Sequence, residues 1–322
     1  MDNLLLTEND RVLILGASGF VGRRLAKALA EQNIKLRLLS SHSNGLADLN
    51  INTSDVQVVT GDLVQNVGLN KALRDIHTTY YLVHSLKTRP GSSSFDYARA
   101  DQIAAQNFQN AANRSGLKRV IYLGGLGEMN DGLSAHLKSR AEVANILSAG
   151  EYLTTVLRAA IIIGAGGASF EMLRYLVERL PFMVCSNWVN SRIQPIAIRD
   201  VLDYLIGCLH QPETADQRFD IGGPDVLTYK TLIDQYVAAR GIAQRVIITV
   251  PGFPAKFTAW CSDLLTPIPA SIAHPLVEGL KNEVVCRDDR ISKFIPLKRT
   301  PFRDAVKIAF AEENKGPGVT GF

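Results

Sequence analysis

The chain has 322 residues, 46% of them apolar and 20% charged, with 25 Gly and 13 Pro, a balance that excludes disordered, collagen-like and low-complexity classes. That length suits about two domains, or one large α/β domain with an appended lobe. The net charge of +4 is too small for a nucleic-acid surface, and residues 281–322 hold nine Lys/Arg against six Asp/Glu, which reads as a solvated tail.

Short apolar runs alternate with helical patterns through the first half. Val12–Leu15, Leu36–Leu39, Val56–Val59, Tyr80–Val83, Val120–Leu123 and Ala160–Ile163 have the length and continuity of strands buried on both faces. Val21, Leu25, Ala28 and Leu29 make one apolar helical face between the first two strands. Asp101–Ser115, stopped by Gly116, and Ser139–Leu147, ahead of Gly150, are two further helices. Strand, helix, strand repeated in this way predicts a Rossmann-type α/β fold, a doubly wound parallel sheet with right-handed crossovers. A helix over Phe170–Leu180 ends at Pro181, Ile193–Ile198 reads as a strand that returns to the sheet, and Val201–Leu209 as the helix after it. Residues 246–280 carry five prolines and three charges, a broken apolar stretch suited to a hydrophobic substrate, a protein partner or a membrane surface. Trp188, Phe253, Phe257 and Trp260 are assigned to the core.

The first strand runs into Gly16-Ala17-Ser18-Gly19-Phe20-Val21-Gly22 and then a helix, the context in which a glycine-rich turn binds a dinucleotide. Gly16 permits the tight turn, Gly19 lets the backbone approach a pyrophosphate, and Gly22 lets helix and strand pack closely; N–H groups of the first helical turn face the phosphates. The second strand ends in Ser40 and Ser41 where an acid would select NAD, and Arg37 and Arg23 lie near in sequence, which favours NADP, with NAD as the alternative. Asp62, followed by Leu63, sits after the third strand, where a carboxylate accepts from the adenine amino group; a solvated turn residue is the competing reading. His84 and Ser85 end the fourth strand, either as structural residues or against the ribose and nicotinamide.

Gly16–Gly22, Gly61-Asp62-Leu63, Leu82–Leu86, Asn107, Arg119–Leu126, Leu157-Arg158, Gln194–Ile196 and Gly222–Pro224 together resemble the short-chain dehydrogenase/reductase superfamily. Within it the chain is similar to the atypical group of NmrA-like proteins and the complex I accessory subunit. More narrowly, it resembles a short form of bacterial NAD(P)-binding proteins that otherwise continue into a domain of unknown function. The resemblance implies a Ser and a Tyr-x-x-x-Lys pair as the proton-handling set. Here Gly124 and Gly125 stand at the serine's place, and the helix opens His136-Leu137-Lys138-Ser139-Arg140, so that His136 replaces Tyr and Arg140 replaces Lys. Two readings follow: His136 as acid/base with Arg140 on the ribose, or a dinucleotide-binding sensor or assembly factor without chemistry.

The expected organisation is a Rossmann domain over 1–164, continued by 192–221, with a substrate or partner lobe from 165–191 and 222–322. The expected function is an atypical NAD(P)-dependent oxidoreductase or isomerase acting on a small molecule, a hydrophobic one if residues 246–280 face the site, with no nucleic-acid partner. Scattered cysteines (185, 208, 261, 286), acids without a basic region at the N-terminus and no apolar run long enough for a membrane span predict a cytoplasmic protein without a metal site.

Overall fold

A computed structural model describes residues 4–41, 46, 49, 51, 55–84, 94–127, 134–250 and 267–313. Seven parallel strands form the main sheet. They are β1 (Arg11–Leu15), β2 (Lys35–Ser40), β3 (Val56–Thr60), β4 (Thr78–Tyr81), β5 (Arg119–Gly125), β6 (Leu153–Ala159) and, later in the chain, β11 (Arg218–Ile221). Their order is β3-β2-β1-β4-β5-β6-β11, with Leu15 facing Leu39 on one side and Tyr81 on the other. The order reverses between β1 and β4, the crevice where ligands bind in open parallel sheets.

Helices cover both faces. α1 (Phe20–Glu31) buries Leu25, Ala26 and Leu29 with the later helix α6 (Ile198–His210) on one side. α2 (Leu69–Leu73), α3 (Ser94–Asn113) and α4 (Ala135–Ser148) share the other cluster, around Tyr81, Phe108 and Tyr122. α4 begins at Ser134, whose hydroxyl accepts the Leu137 N–H, so the sequence fixes where His136 and Arg140 enter the fold.

The remaining elements are β7 (Ile162–Ile163), α5 (Ala168–Arg179), β8 (Phe182–Cys185), β9 (Arg192–Ile193), β10 (Ile196–Ala197), β12 (Leu227–Thr228), α7 (Tyr229–Arg240), β13 (Val246–Thr249), α8 (Ala270–Gly279) and α9 (Phe302–Glu313). They build a third cluster around Phe170, Leu232, Tyr236, Ala273 and Val306. Trp188 joins it edge-on to Tyr229, ring centroids 5.6 Å apart, whereas Phe253, Phe257 and Trp260 lie outside the described residues.

Two expectations change. The sixth strand is Leu153–Ala159 and not Ala160–Ile163, because Thr154, Thr155 and Arg158 are accommodated within it: the threonine hydroxyls donate to Leu147 O and Thr214 O, and Arg158 pairs with Asp220 of β11. The return to the sheet is β11 and not Ile193–Ile198, which forms two short pairs with β7 and β12.

Candidate functional site

A cleft of about 650 Å³ opens at the carboxyl ends of β1 to β6, within the range of small-molecule sites. Its sheet-side wall gathers Gly16, Ser18, Gly19, Phe20, Val21, Gly22, Ser40, Ser41, Asp62, Leu63, His84, Gly124, His136 and Arg140. Most of the residues singled out from sequence therefore meet in one place. Arg23 does not line the cleft; it is buried on α1. Ser85 lies outside the described residues.

Each glycine of the turn has its own geometric reason. Gly16 has φ +82°, and a Cβ there would stand 2.7 Å from Leu82 O. A Cβ on Gly22 would stand 2.1 Å from Gly16 O, so α1 lies directly against the turn. Gly19 is different: within 4 Å its Cβ would meet only Gly16 O, at 3.2 Å, which leaves it facing open cleft. Gly19 caps α1 without a side-chain hydrogen bond, and no acid stands in the first turn. The N–H groups of that turn point toward the cleft with the positive end of the helix dipole behind them, a cradle that fits a pyrophosphate.

The far ends of the cradle are also built. Asp62 Oδ1 accepts the Gln65 N–H at 2.9 Å, and Asn107 donates to Leu63 O at 2.8 Å, so α3 holds the loop after β3 in place. Ser40 and Ser41 end β2 at the cleft. Arg37 does not join them. Its guanidinium is buried on the other side of β2, donating to Gln57 Oε1 and to carbonyls of Ala72 and Lys71, because alternate strand residues point to opposite faces.

On the opposite flank a charged cluster forms around Asp101 of α3, a residue the sequence reading did not select. Its carboxylate, 2% exposed, takes Arg140 Nη2 at 2.6 Å, His84 Nδ1 at 3.0 Å and the Ser139 hydroxyl at 3.4 Å, all on Oδ2. Arg140 also donates to Val83 O at 3.3 Å, and Tyr122 donates to Arg140 O at 3.1 Å. Arg140 is thus spent on Asp101 and the β4 loop. The His136 ring packs against His84 with centroids 4.9 Å apart. Burial, with Arg140 nearby, lowers the His84 pKa to about 4, against the opposing pull of Asp101. Burial, His84 and Arg140 lower His136 to about 3. Both rings are neutral at pH 7.

Gly124 leaves no hydroxyl where the superfamily's serine stands, and a Cβ there would lie 2.8 Å from the Tyr122 ring. Arg192 is exposed and 3.9 Å from Glu283, and Gln194 ties Gly223 O to the Cys286 N–H; neither lines the cleft. The cleft's other wall is apolar: Met172, Ile193, Tyr229, Ile272, Leu276, Leu280 and Val284. Among the described lining residues Arg140 is the one Lys or Arg. Among the described residues no helix is long and apolar enough to cross a membrane.

Comparison with known proteins agrees with this geometry. Residues 16–174 match the family model described as NAD(P)H-binding. A ceramide reductase of Caulobacter vibrioides is 26% identical over 217 residues, 65% of this chain. The mitochondrial NADH dehydrogenase [ubiquinone] 1 alpha subcomplex subunit 9 of Dictyostelium discoideum is 23% identical over 251 residues, 74% of this chain. Each alignment spans 65% of the relative's own length. A nucleoside-diphosphate-sugar epimerase structure from Staphylococcus aureus superposes with a TM-score of 0.71 at 16% identity, covering 92% of this chain and 99% of that one. The Bordetella bronchiseptica enzyme WbmG in complex with NAD gives 0.70 at 16% identity, covering 97% and 96%. With its glycine cradle and this match to an NAD(P)H-binding family model, the chain carries a site for a nicotinamide dinucleotide on a Rossmann-type fold.

Proposed function

We propose that the protein is an NAD(P)-dependent oxidoreductase acting on a carbonyl or hydroxyl group of a largely apolar, lipid-like molecule. The observation that carries this is the continuity of one cleft, from the glycine cradle at one end to the apolar wall of Met172, Tyr229, Ile272, Leu276 and Leu280 at the other. A sugar nucleotide needs cations for a second diphosphate, and the described lining offers only Arg140, already bound to Asp101. The ceramide reductase relative supports the same substrate class.

Gly16, Ser18–Gly22, Ser40, Ser41, Asp62 and Leu63 hold the dinucleotide, which supplies the hydride acceptor or donor when bound. The proton is left to the protein, and the groups at hand are His84, His136, Arg140 and Asp101. The cofactor is NADP(H) in preference to NAD(H), because β2 ends in two serines and no acid. The Rossmann part takes in 1–164 with 192–221, and Met172, Tyr229, Ile272, Leu276 and Leu280 of the apolar wall belong to the lobe outside it.

The test is absorbance at 340 nm with NADPH or NADH and a panel of long-chain ketones, N-acyl aminoketones, quinones, enones and UDP-glucose. Oxidation of NADPH by long-chain ketones and none with UDP-glucose is the expected result. Tight cofactor binding with no turnover of any compound would overturn the proposal in favour of a nucleotide sensor.

A further inference from the structure

Behind the cleft wall lies a small crevice of about 10 Å³, the space of one water, lined by His84, Tyr97, Asp101, His136, Ser139, Pro275 and the exposed Glu278. His84, His136 and Pro275 line both the crevice and the cleft. The wall between cofactor site and solvent is therefore, at this point, two imidazoles in contact.

Asp101 decides which nitrogen of His84 carries the proton. An aspartate that receives an arginine at 2.6 Å is ionised and can only accept, so His84 Nδ1, at 3.0 Å from the same oxygen, is the N–H donor. The second nitrogen, Nε2, is then a bare lone pair. It is buried and has no hydrogen-bond partner among the described residues. A buried acceptor without a donor costs about 1–3 kcal/mol, which a donor that reaches it from the adjoining cleft would recover. His136 has no such fixed partner: among the described residues no carboxylate hydrogen-bonds its ring, and burial, the neighbouring imidazole and Arg140 outweigh the pull of Asp101.

We propose that His84, oriented by Asp101, is the catalytic residue that exchanges the proton with the substrate oxygen, and that the crevice beside His136 connects it to solvent. The proposal rests on the oxidoreductase reading above. In the oxidative direction the substrate O–H bond breaks with its proton going to Nε2. The freed electron pair becomes the second C–O bond, and the adjacent C–H pair departs as hydride to the dinucleotide. The imidazolium left behind is held between Asp101 and the cleft, then loses its proton from Nε2 to water in the crevice, and the reverse sequence protonates the oxygen during carbonyl reduction. Asp101 is the positioning residue: it selects the tautomer and also anchors Arg140, which keeps the β4 loop in place through Val83 O. Among the described residues the groups that face His84 are Asp101 and Tyr97 of α3, His136, Ser139 and Arg140 of α4, and Glu278 of α8, with Asp101 and Arg140 the charged groups that act on it most directly.

The experiment uses the full chain with NADP(H) and a substrate found in the panel above, comparing wild type with His84→Gln, Asp101→Asn and His136→Gln. Cofactor affinity is measured in parallel by nicotinamide fluorescence. The expected result is a fall in kcat/KM of at least 100-fold in His84→Gln, with cofactor Kd within threefold of wild type. Asp101→Asn lowers kcat and moves the acid limb of the pH profile, and the loss in His136→Gln is at least tenfold smaller than in His84→Gln. A second readout does not depend on turnover: nitrogen-15 NMR of the imidazoles at pH 7 shows His84 with Nδ1 protonated and Nε2 bare in wild type, and a mixture of tautomers in Asp101→Asn. Turnover that survives His84→Gln, or a His84 found protonated on Nε2 at pH 7, overturns the assignment while the oxidoreductase reading stands. Absence of turnover in the wild type with every carbonyl and alcohol overturns both.

Discussion

The sharpest test of the cofactor cradle sets two glycines three residues apart against each other. In Gly22→Ala the new methyl group lies 2.1 Å from Gly16 O, 2.8 Å from Gly16 C and 2.9 Å from the Ala17 Cα. All three are backbone atoms, so no rotamer relieves the clash, and the first turn of α1 must move about 1 Å from the β1 turn to restore van der Waals distance. Overpacking of this kind costs about 1–3 kcal/mol, or roughly 2–12 °C in Tm for a chain of this size. The same movement withdraws helix N–H groups from the pyrophosphate, and one charge-assisted hydrogen bond lost, about 1.5–3 kcal/mol, weakens binding roughly 10- to 150-fold. Gly19→Ala separates the two effects. Its methyl group meets only Gly16 O, at 3.2 Å, and otherwise projects into the cleft, so Tm should stay within about 2 °C while cofactor affinity falls by a similar factor. Differential scanning fluorimetry with and without NADPH, with a fluorescence titration, reads both quantities. If Gly22→Ala melts as wild type does, α1 does not rest on the turn as described. If Gly19→Ala binds NADPH unchanged, the pyrophosphate does not lie on this turn.

Four further outcomes follow from named contacts. Arg119 is fully buried with Nε and Nη1 unpartnered and Nη2 on two threonines, which keep the carbonyls of Thr214 and Gln211 as partners without it; Arg119→Met should leave stability unchanged or raise it by about 1–4 kcal/mol in urea unfolding, and a loss above ~1 kcal/mol would refute this. Asp200 accepts the Thr300 N–H at 2.6 Å and its hydroxyl at 2.7 Å, so Asp200→Ala should cost about 3–6 kcal/mol and expose the 281–313 segment to limited proteolysis; unchanged protection would count against that tether. Ser41→Asp puts a carboxylate at the end of β2 and should weaken NADPH at least tenfold by equilibrium titration while leaving NADH within threefold, and an unchanged ratio removes the NADP assignment. Burial lowers the folded pKa of His84 to about 4 and of His136 to about 3, from the ordinary 6.5, so the unfolded chain takes up protons first and stability falls as pH drops from about 6.5 toward 4, by up to ~1.4 kcal/mol per pH unit for each ring. Urea unfolding at pH 7, 6 and 5 should show a shallower slope in His84→Gln, and equal slopes would place the rings in water.

The parts of this fold legible in the sequence are those in which one residue type serves one purpose. Val12–Leu15 and Leu36–Leu39 are buried on both faces, so their apolar runs announce strands, and the glycine turn is local in sequence as well as in space. β6 was obscured because Thr154, Thr155 and Arg158 interrupt its apolar run, and their partners, Leu147 O, Thr214 O and Asp220, lie 7, 59 and 62 residues away. Arg37 misled for a similar reason. Nearness to Ser40 in sequence says nothing about face, and the strand turns the guanidinium toward Gln57. Asp101 carries no local signature; it sits within an ordinary helix, and its importance comes from Arg140, 39 residues on, and His84, 17 residues back.

The departures from the superfamily's Ser, Tyr and Lys form one packed unit. A side chain at 124 would strike the Tyr122 ring at 2.8 Å; Tyr122 in turn donates to the Arg140 carbonyl; and Arg140 spans Asp101 and Val83 O with two different nitrogens. A lysine at 140 has a single nitrogen and no planar fork, and so lacks the two-nitrogen geometry with which Arg140 bridges Asp101 and Val83 O. A serine at 124 displaces the tyrosine that supports the arginine's backbone. With no serine at 124 and an arginine at 140, the proposed proton chemistry falls to His84, the imidazole that Asp101 orients, and the cofactor cradle across the cleft is left unaltered by the exchange.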